Sequence, residues 1–256
     1  MTLIYYIIVA VIGLCVGSFL NVVIYRVPNK MSIVKPNSHC PKCNTPIKWY
    51  DNIPVLSYIL LKGKCRHCGE HIAFRYVLVE LLNSIMWVLC YFAFNSYGVL
   101  LCIISMLVCS ILIVVAFIDF EHLYILDRFQ IMLLVLGVVL CVFASDMYFT
   151  ERLIGLAVGG GFMLLIYGLG YLMLKREPLG IGDIKLTACI GLILGYKNVI
   201  LTLIIASVLG AIILLILNGK EKGKEYPFAP FLCLGAVVAL IFGNAIINGY
   251  LSLFQF

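Results

Sequence analysis

Two acidic stretches in an otherwise apolar chain carry side chains that could act together. In Val114-Val-Ala-Phe-Ile-Asp119-Phe-Glu-His-Leu-Tyr-Ile-Leu-Asp127-Arg, Asp119 follows an unbroken apolar run. In Pro178-Leu-Gly-Ile-Gly-Asp-Ile-Lys-Leu186, Asp183 follows two glycines and leads back into apolar sequence. Glycine admits backbone angles closed to other residues, so Asp183 is expected on an irregular turn at a membrane boundary rather than on a helix face. Two carboxylates held close cannot both ionise cheaply and titrate as a unit. One can then act as base towards water while the other, protonated, hydrogen-bonds and activates a peptide carbonyl, after which a proton reaches the leaving amine. Gly-x-Gly-Asp alone is a short motif, and a loop whose Asp183 merely caps the next helix would look the same. Asp127, at the expected N-cap of the next apolar run, is the reserve member of the pair. Glu121 and Glu177 read as solvated or capping acids, and His122 either orients a carboxylate or faces headgroups.

A second constellation is Cys40-Pro-Lys-Cys43 with Cys65-Arg-His-Cys68, two CxxC knuckles separated by 21 residues. This is close to the ribbon spacing that lets four thiolates, Cys40, Cys43, Cys65 and Cys68, converge on tetrahedral zinc or another thiophilic ion. A full cysteine set leaves no open coordination position, so the role is structural. His39 and His67 adjoin the knuckles as substitute ligands or, more simply, as solvated neighbours. The segment Asp51-Asn-Ile-Pro54 between the knuckles reads as a turn. The remaining cysteines, Cys15, Cys90, Cys102, Cys109, Cys141, Cys189 and Cys233, lie in apolar runs and behave as small hydrophobes.

The elements that position these groups are set by composition. Of 256 residues, 64% are hydrophobic and 12% charged, and the mean hydropathy is +1.12; soluble domains do not have such a balance. The fold class is an all-α polytopic membrane protein of about eight transmembrane helices with a small cytoplasmic zinc-ribbon-like loop. Spans of about 20 residues are expected at 3–25, 76–95, 100–118, 129–145, 153–174, 186–196 with its continuation, 199–217 and 228–251. The sixth is short, with Gly191 and Gly195 near its end, and spans only with Lys185 and Lys197 snorkelling. The first run, with no basic residue before it and no small-residue cleavage pattern after it, is a retained helix. Three parts follow: helix one (1–25), the double-CxxC loop (26–75) and a membrane domain carrying both aspartates (76–256).

Nine Lys and Arg residues lie between Arg26 and Arg75, and others at Arg128, Lys175, Arg176, Lys185, Lys220, Lys222 and Lys224. All can share one face, leaving Arg152 and Lys197 for the other, so the N-terminus is expected outside and the knuckle loop and both acidic stretches in the cytoplasm. The net charge of +6 follows from this asymmetry and from anionic lipid; no basic stripe with interleaved aromatics suggests nucleic acid. The two carboxylates thereby come to one depth. Gly13, Gly17 and Asn21 form a four-spaced seam on helix one, where another helix can approach closely or a polar cavity can open. Glu80, about a turn inside the second helix, needs a partner, either Arg75 or the polar head of helix one, as a structural pair or as a functional acid. Paired acids also suit an ion-coupled transporter, although both lie at one face and no inverted repeat is visible. A docking module anchored by helices leaves the acid pair unexplained.

Taken together and in order, these motifs resemble the bacterial prepilin peptidases, or type IV leader peptidases, aspartyl proteases of the GxGD class. The likeness runs nearly end to end: Gly17-Ser-Phe-Leu-Asn-Val-Val-Ile-Tyr-Arg26, the double CxxC, Asp51-Asn-Ile-Pro54, Gly63-Lys-Cys-Arg-His-Cys68, Arg75-Tyr with Val79-Glu80, Ile118-Asp119, Gly180-Ile-Gly-Asp-Ile-Lys-Leu186 and Pro227-Phe-Ala-Pro-Phe231. The resemblance implies that Asp119 and Asp183 are the catalytic aspartates and that the substrates are precursors of type IV pilins, pseudopilins or competence pilins, cut at the cytoplasmic face of the inner membrane. It also implies N-methylation of the new amino terminus with S-adenosylmethionine as donor, for which no site is legible in these residues. Two departures stand out, Ile125-Leu-Asp127 where the family usually has Leu-Pro-Asp, and Phe228-Ala-Pro230 where it has Phe-Gly-Pro. Neither touches the aspartate pair.

Overall fold

A computed structural model of the chain describes residues 2–144, 147–175, 177, 179–217 and 226–253. Arg176, Pro178, Lys220, Lys222 and Lys224, used above to read motif and topology, lie outside the described residues. The chain separates into two compact units, Met1–Asn95 and Ser96–Phe256.

In the first unit, α1 (Thr2–Arg26) and α3 (Arg75–Phe94) are apolar helices that run antiparallel along the Gly13, Gly17, Asn21 seam. A Cβ on Gly17 would lie 2.7 Å from the Glu80 Cα, and one on Gly13 would lie 2.9 Å from the Ser84 Cα; only the missing side chains allow this approach. Polar side chains then close the seam. Asn21 Nδ2 donates to Tyr76 O at 2.9 Å, Asn83 Nδ2 to Gly13 O at 2.7 Å, and Ser84 Oγ to Ala10 O at 2.9 Å. Of the two roles open to this stripe, the structure displays helix packing. Between α1 and α3 lie the knuckles, a 3₁₀ turn at Trp49–Asn52 where a turn was expected, and the short α2 (Leu56–Leu60).

The second unit holds α4 (Val99–His122), α5 (Asp127–Phe143), α6 (Phe149–Leu174), α7 (Ile181–Leu217) and α8 (Ala229–Ser252). Among the described residues, six helices are long and apolar enough to cross a membrane, α5 at 17 residues being shorter; the protein is an all-helical multi-pass membrane protein. The 37 residues of α7 are not one rod. Gly195 has φ 76° and ψ 172°, a conformation that side chains disfavour. At Gly159 of α6, an added Cβ would lie 2.6 Å from Thr187 O and 3.1 Å from Val199 Cγ2. In a continuous helix residues 187 and 199 would be about 18 Å apart, so the chain reverses at Gly195. The expected sixth and seventh helices are thus the two arms of this hairpin. The first arm, residues 181–194, is roughly 21 Å long, short of the ~30 Å apolar thickness of a bilayer.

The reversal is held from α6. Arg152, only 1% exposed, donates from Nη1 to Ile193 O at 2.6 Å, where the first arm runs out of internal donors. Gly155 and Gly191 meet backbone to backbone, so that a Cβ on either would collide with the other's carbonyl oxygen. This contact lays the hairpin against α6.

Candidate active site

The cysteine loop is two copies of one turn. Cys40 N donates to Thr45 O at 3.1 Å and Asn44 N to Cys40 O at 2.9 Å; in the second copy Cys65 N donates to Glu70 O at 2.7 Å and Gly69 N to Cys65 O at 3.0 Å. Bridges His39–Pro46 and Lys64–His71 close the bases, and Asn44 and Gly69, with φ of 54° and 73°, make the sharp bends. Asn and Gly are the residues that tolerate this region. The four Sγ atoms all lie within 4.8 Å of one another, with Cys40 and Cys68 at 3.8 Å. A tetrahedron with metal–sulfur bonds of ~2.3 Å has sulfur edges of about 3.8 Å, so the donor set fits a thiophilic ion.

The four thiols do not share one proton affinity. The Thr45 hydroxyl and backbone beside Cys43 pull it down to about 6, and backbone N–H groups of Cys68 and His67 lower Cys65. At Cys68 the Glu70 backbone N–H pulls down, but desolvation and the neighbouring sulfurs outweigh it and push the thiol up to about 12. Four thiolates so close require a cation to balance them. His39 turns Nδ1 to Asn37 O at 3.0 Å and His67 is exposed; both are neighbours rather than members of the cluster. A bidentate ion pair, Arg66 Nη2 to Asp51 Oδ1 at 2.7 Å and Nε to Oδ2 at 2.9 Å, ties the second knuckle to the Trp49–Asn52 turn.

Glu80 finds its partners in the loop and on α1. Its Oε2 accepts the Val55 N–H at 2.8 Å and its carboxylate accepts the Ser18 hydroxyl. Val55, β-branched, sits at φ 59° and ψ −49°, so this hydrogen bond anchors a strained turn.

In the second unit Asp119 and Asp183 are 6% and 9% exposed and within electrostatic reach of each other. Asp119 lies on the last turn of α4, where Leu123 N–H bonds back to its carbonyl at 2.9 Å. Its Oδ2 accepts the Ala229 N–H at 3.2 Å, a donor left open at the start of α8. Asp183 does not sit on an irregular turn: it lies in the first turn of α7, its N–H on Gly180 O at 3.1 Å. The glycines serve close packing instead, a Cβ on Gly180 falling 3.3 Å from Asp183 Oδ2 and one on Gly182 falling 3.1 Å from Ile125 Cβ. Asp127 is neither N-cap nor dyad member. Leu126 takes the cap position, and Asp127 Oδ1 pairs at the surface with Lys185 Nζ at 2.8 Å, the Asp127 side chain being 68% exposed.

Two side chains around the pair were not singled out from sequence. Cys233 of α8, 3% exposed, lies within electrostatic reach of both carboxylates. Gln130 of α5, 4% exposed, donates from Nε2 to Gly182 O at 2.8 Å. A glutamine within an apolar run was the available signal for the latter.

Residues 11–94 match the Bacterial Peptidase A24 N-terminal domain, and residues 106–215 match the Type IV leader peptidase family. The chain is 31% identical to a prepilin leader peptidase/N-methyltransferase of Legionella pneumophila, with 96% of this chain and 94% of that protein aligned. It belongs to the type IV leader peptidase family. The relative of that name from Dichelobacter nodosus is 34% identical over 93% of this chain and 92% of its own length. The one from Myxococcus xanthus is 38% identical over 79% of this chain, which spans 60% of that protein. No solved structure matches. The two matched regions of this family member fall one in each compact unit, the cysteine knuckles in the first and both aspartates in the second.

Proposed function

We propose that this protein is a membrane aspartyl endopeptidase that removes the leader of type IV prepilins, pseudopilins or competence pilins. The observation that carries this reading is that two buried carboxylates, Asp119 and Asp183, from helices far apart in sequence, lie within electrostatic reach of each other. The ionised member takes a proton from water as the water oxygen attacks the scissile carbonyl carbon. The protonated member gives its proton to the carbonyl oxygen, forming a gem-diol. Collapse breaks the C–N bond as the proton taken from water passes to the departing amine and a gem-diol hydroxyl returns a proton to the other aspartate, which leaves a carboxylic acid and restores the pair. Each member faces a helix N-terminus: Asp119 accepts the Ala229 N–H at the start of α8, and Asp183, in the first turn of α7, has the Gly180 backbone beside its carboxylate.

The site lies at the cytoplasmic face of the bacterial inner membrane with the N-terminus outside, in accord with the basic residues on that side. A basic leader and the apolar helix after it approach from the lipid. Acidic side chains, Glu121 or Glu177, contribute to holding the leader, and unchanged cleavage in their Glu→Gln variants would remove that role; Glu80, buried and bonded to the Val55 N–H, is committed to the loop instead. The cysteine cluster holds structural zinc. The second activity, N-methylation of the new amino terminus, rests on the relatives' name; S-adenosylmethionine would supply the methyl group, and no residue is assigned to it.

The deciding experiment co-expresses a prepilin with wild type, Asp119→Asn and Asp183→Asn and weighs the product's amino terminus. Cleavage before the hydrophobic segment by wild type alone, with both variants inserted, supports the peptidase, and an added methyl supports the second activity. Normal cleavage by the variants overturns the pair and returns attention to an ion-coupled transporter.

A further inference from the structure

Gln130 is a buried polar side chain to which the two-carboxylate chemistry gives no task. It projects from the first turns of α5, is 4% exposed, and its Nε2 donates to Gly182 O at 2.8 Å. Its Oε1 is buried with no hydrogen-bond partner among the described residues. The amide cannot simply be turned over, since Oε1 would then face the Gly182 oxygen, acceptor against acceptor. An orphaned amide oxygen is unfavourable in the protein interior, where an apolar side chain of similar volume would bury without that penalty. What the amide provides in exchange is the donor on Gly182.

That carbonyl belongs to the peptide unit linking Gly182 to Asp183. Holding it restrains the plane from which the Asp183 Cα, and so the carboxylate, projects. The rest of the contact is built around the same place. Ile125 fills the space a Gly182 side chain would take, Cys189 Sγ donates to Gln130 O at 3.5 Å, and Lys185 reaches Asp127 at 2.8 Å on the outer side. The start of α5 therefore grips the start of α7 from both sides of Gly182. Among the described residues, the titratable and charged groups around this grip are Asp127 and Arg128 on α5, Asp183, Lys185 and Cys189 on α7, Asp119 on α4 and, within reach of both carboxylates, Cys233 on α8; Arg152 of α6 lies at the far end, against Ile193.

We propose that Gln130 is a positioning residue of the peptidase site, a clamp on the Gly182 carbonyl that sets the Asp183 carboxylate against Asp119. This rests on the aspartyl peptidase reading. A carboxylate displaced by about an ångström loses up to ~100-fold in rate, so Gln130→Met, which retains the volume and loses the donor, lowers kcat about 10- to 100-fold with KM little changed. Gln130→Glu separates a clamp from packing. Protonated, the new side chain donates its O–H to Gly182 O; ionised, it repels that oxygen and adds a negative charge beside the pair. Its activity relative to wild type at the same pH therefore recovers towards acid, while the Gln130→Met ratio stays flat.

The experiment measures prepilin cleavage by wild type, Gln130→Met and Gln130→Glu across pH, with hydrogen exchange of the 180–186 backbone as a second readout that needs no activity. Faster exchange confined to 180–186 in Gln130→Met, with acid rescue of Gln130→Glu, supports the clamp. Equal kcat and equal exchange in Gln130→Met overturn it, as does a Gln130→Glu ratio independent of pH. If wild type cuts no prepilin, the peptidase reading has failed by itself and the exchange data alone judge the clamp; should Gln130→Met not fold, Gln130→Glu at acid and neutral pH judges it.

Discussion

The Ala229 N–H lies 3.2 Å from Asp119 Oδ2, across 110 residues of chain, so the end of α4 and the start of α8 share one hydrogen bond at the acid pair. A helix N-terminus has donors to spare and a positive end. Here one donor is directed at a buried carboxylate, which the surrounding apolar helices could not solvate.

Replacing either member of the pair removes the chemistry and leaves the fold. Asp119→Asn still accepts the Ala229 N–H through its amide oxygen, and Asp183→Asn retains its place in the first turn of α7. Cleavage of a prepilin is expected to fall by about 10²–10⁴-fold or more in each, the range for loss of a general acid or base, with melting in detergent close to wild type. Retained cleavage in either variant would remove the assignment.

The hairpin in α7 depends on Gly195. Alanine there would be strained at φ 76°, and its Cβ would come within 2.5 Å of Met147 Sδ. Gly195→Ala is expected to destabilise the protein by about 1–3 kcal/mol, read as a lower melting midpoint. An unchanged midpoint would mean that the turn accommodates a side chain.

The knuckles predict a metal-dependent loop with a metal-independent membrane body. Cys40→Ser or Cys68→Ser, or chelation of the purified protein, is expected to release one equivalent of zinc by mass analysis and to increase proteolysis between α1 and α3. The helical signal stays nearly constant, because it comes chiefly from the membrane helices. Wild-type protein that carries no metal and yet resists proteolysis in the loop would rule out a structural ion.

Acid should release the loop's ion pair at an unusually low pH. The hydrogen bonds and charge of Arg66 hold the Asp51 carboxyl below its ordinary value. A depressed folded value means that its stabilisation is fully present above the unfolded carboxylate value, about 3.9, and is lost as pH falls through the folded one. The pair is partly open to water and salt weakens it. A carboxyl carbon titration should give Asp51 a midpoint below that of a free aspartate, and Arg66→Met should bring it back; equal midpoints would show that the bidentate contact has no electrostatic weight in solution.

Some of this was legible in the chain alone. Apolar runs and a CxxC pair are local patterns, so the number of apolar helices, the short sixth one and the clustering of the four cysteines could be read directly: hydropathy accumulates along a segment and knuckle spacing is built into a turn. The identity of the two buried acids was visible because a carboxylate in such surroundings is conspicuous. Which faces meet was not visible, since helices apolar nearly all round show no stripe to orient them. Only the tertiary structure decided that Asp183 stands in a helix turn, that Asp127 turns outward to Lys185, that Glu80 anchors Val55, that Gln130 reaches the Gly182 carbonyl and that the Ala229 N–H reaches Asp119. These relationships depend on close approaches at Gly17, Gly155 and Gly191 and on a reversal at Gly195, and contacts of that kind connect residues that no local pattern joins.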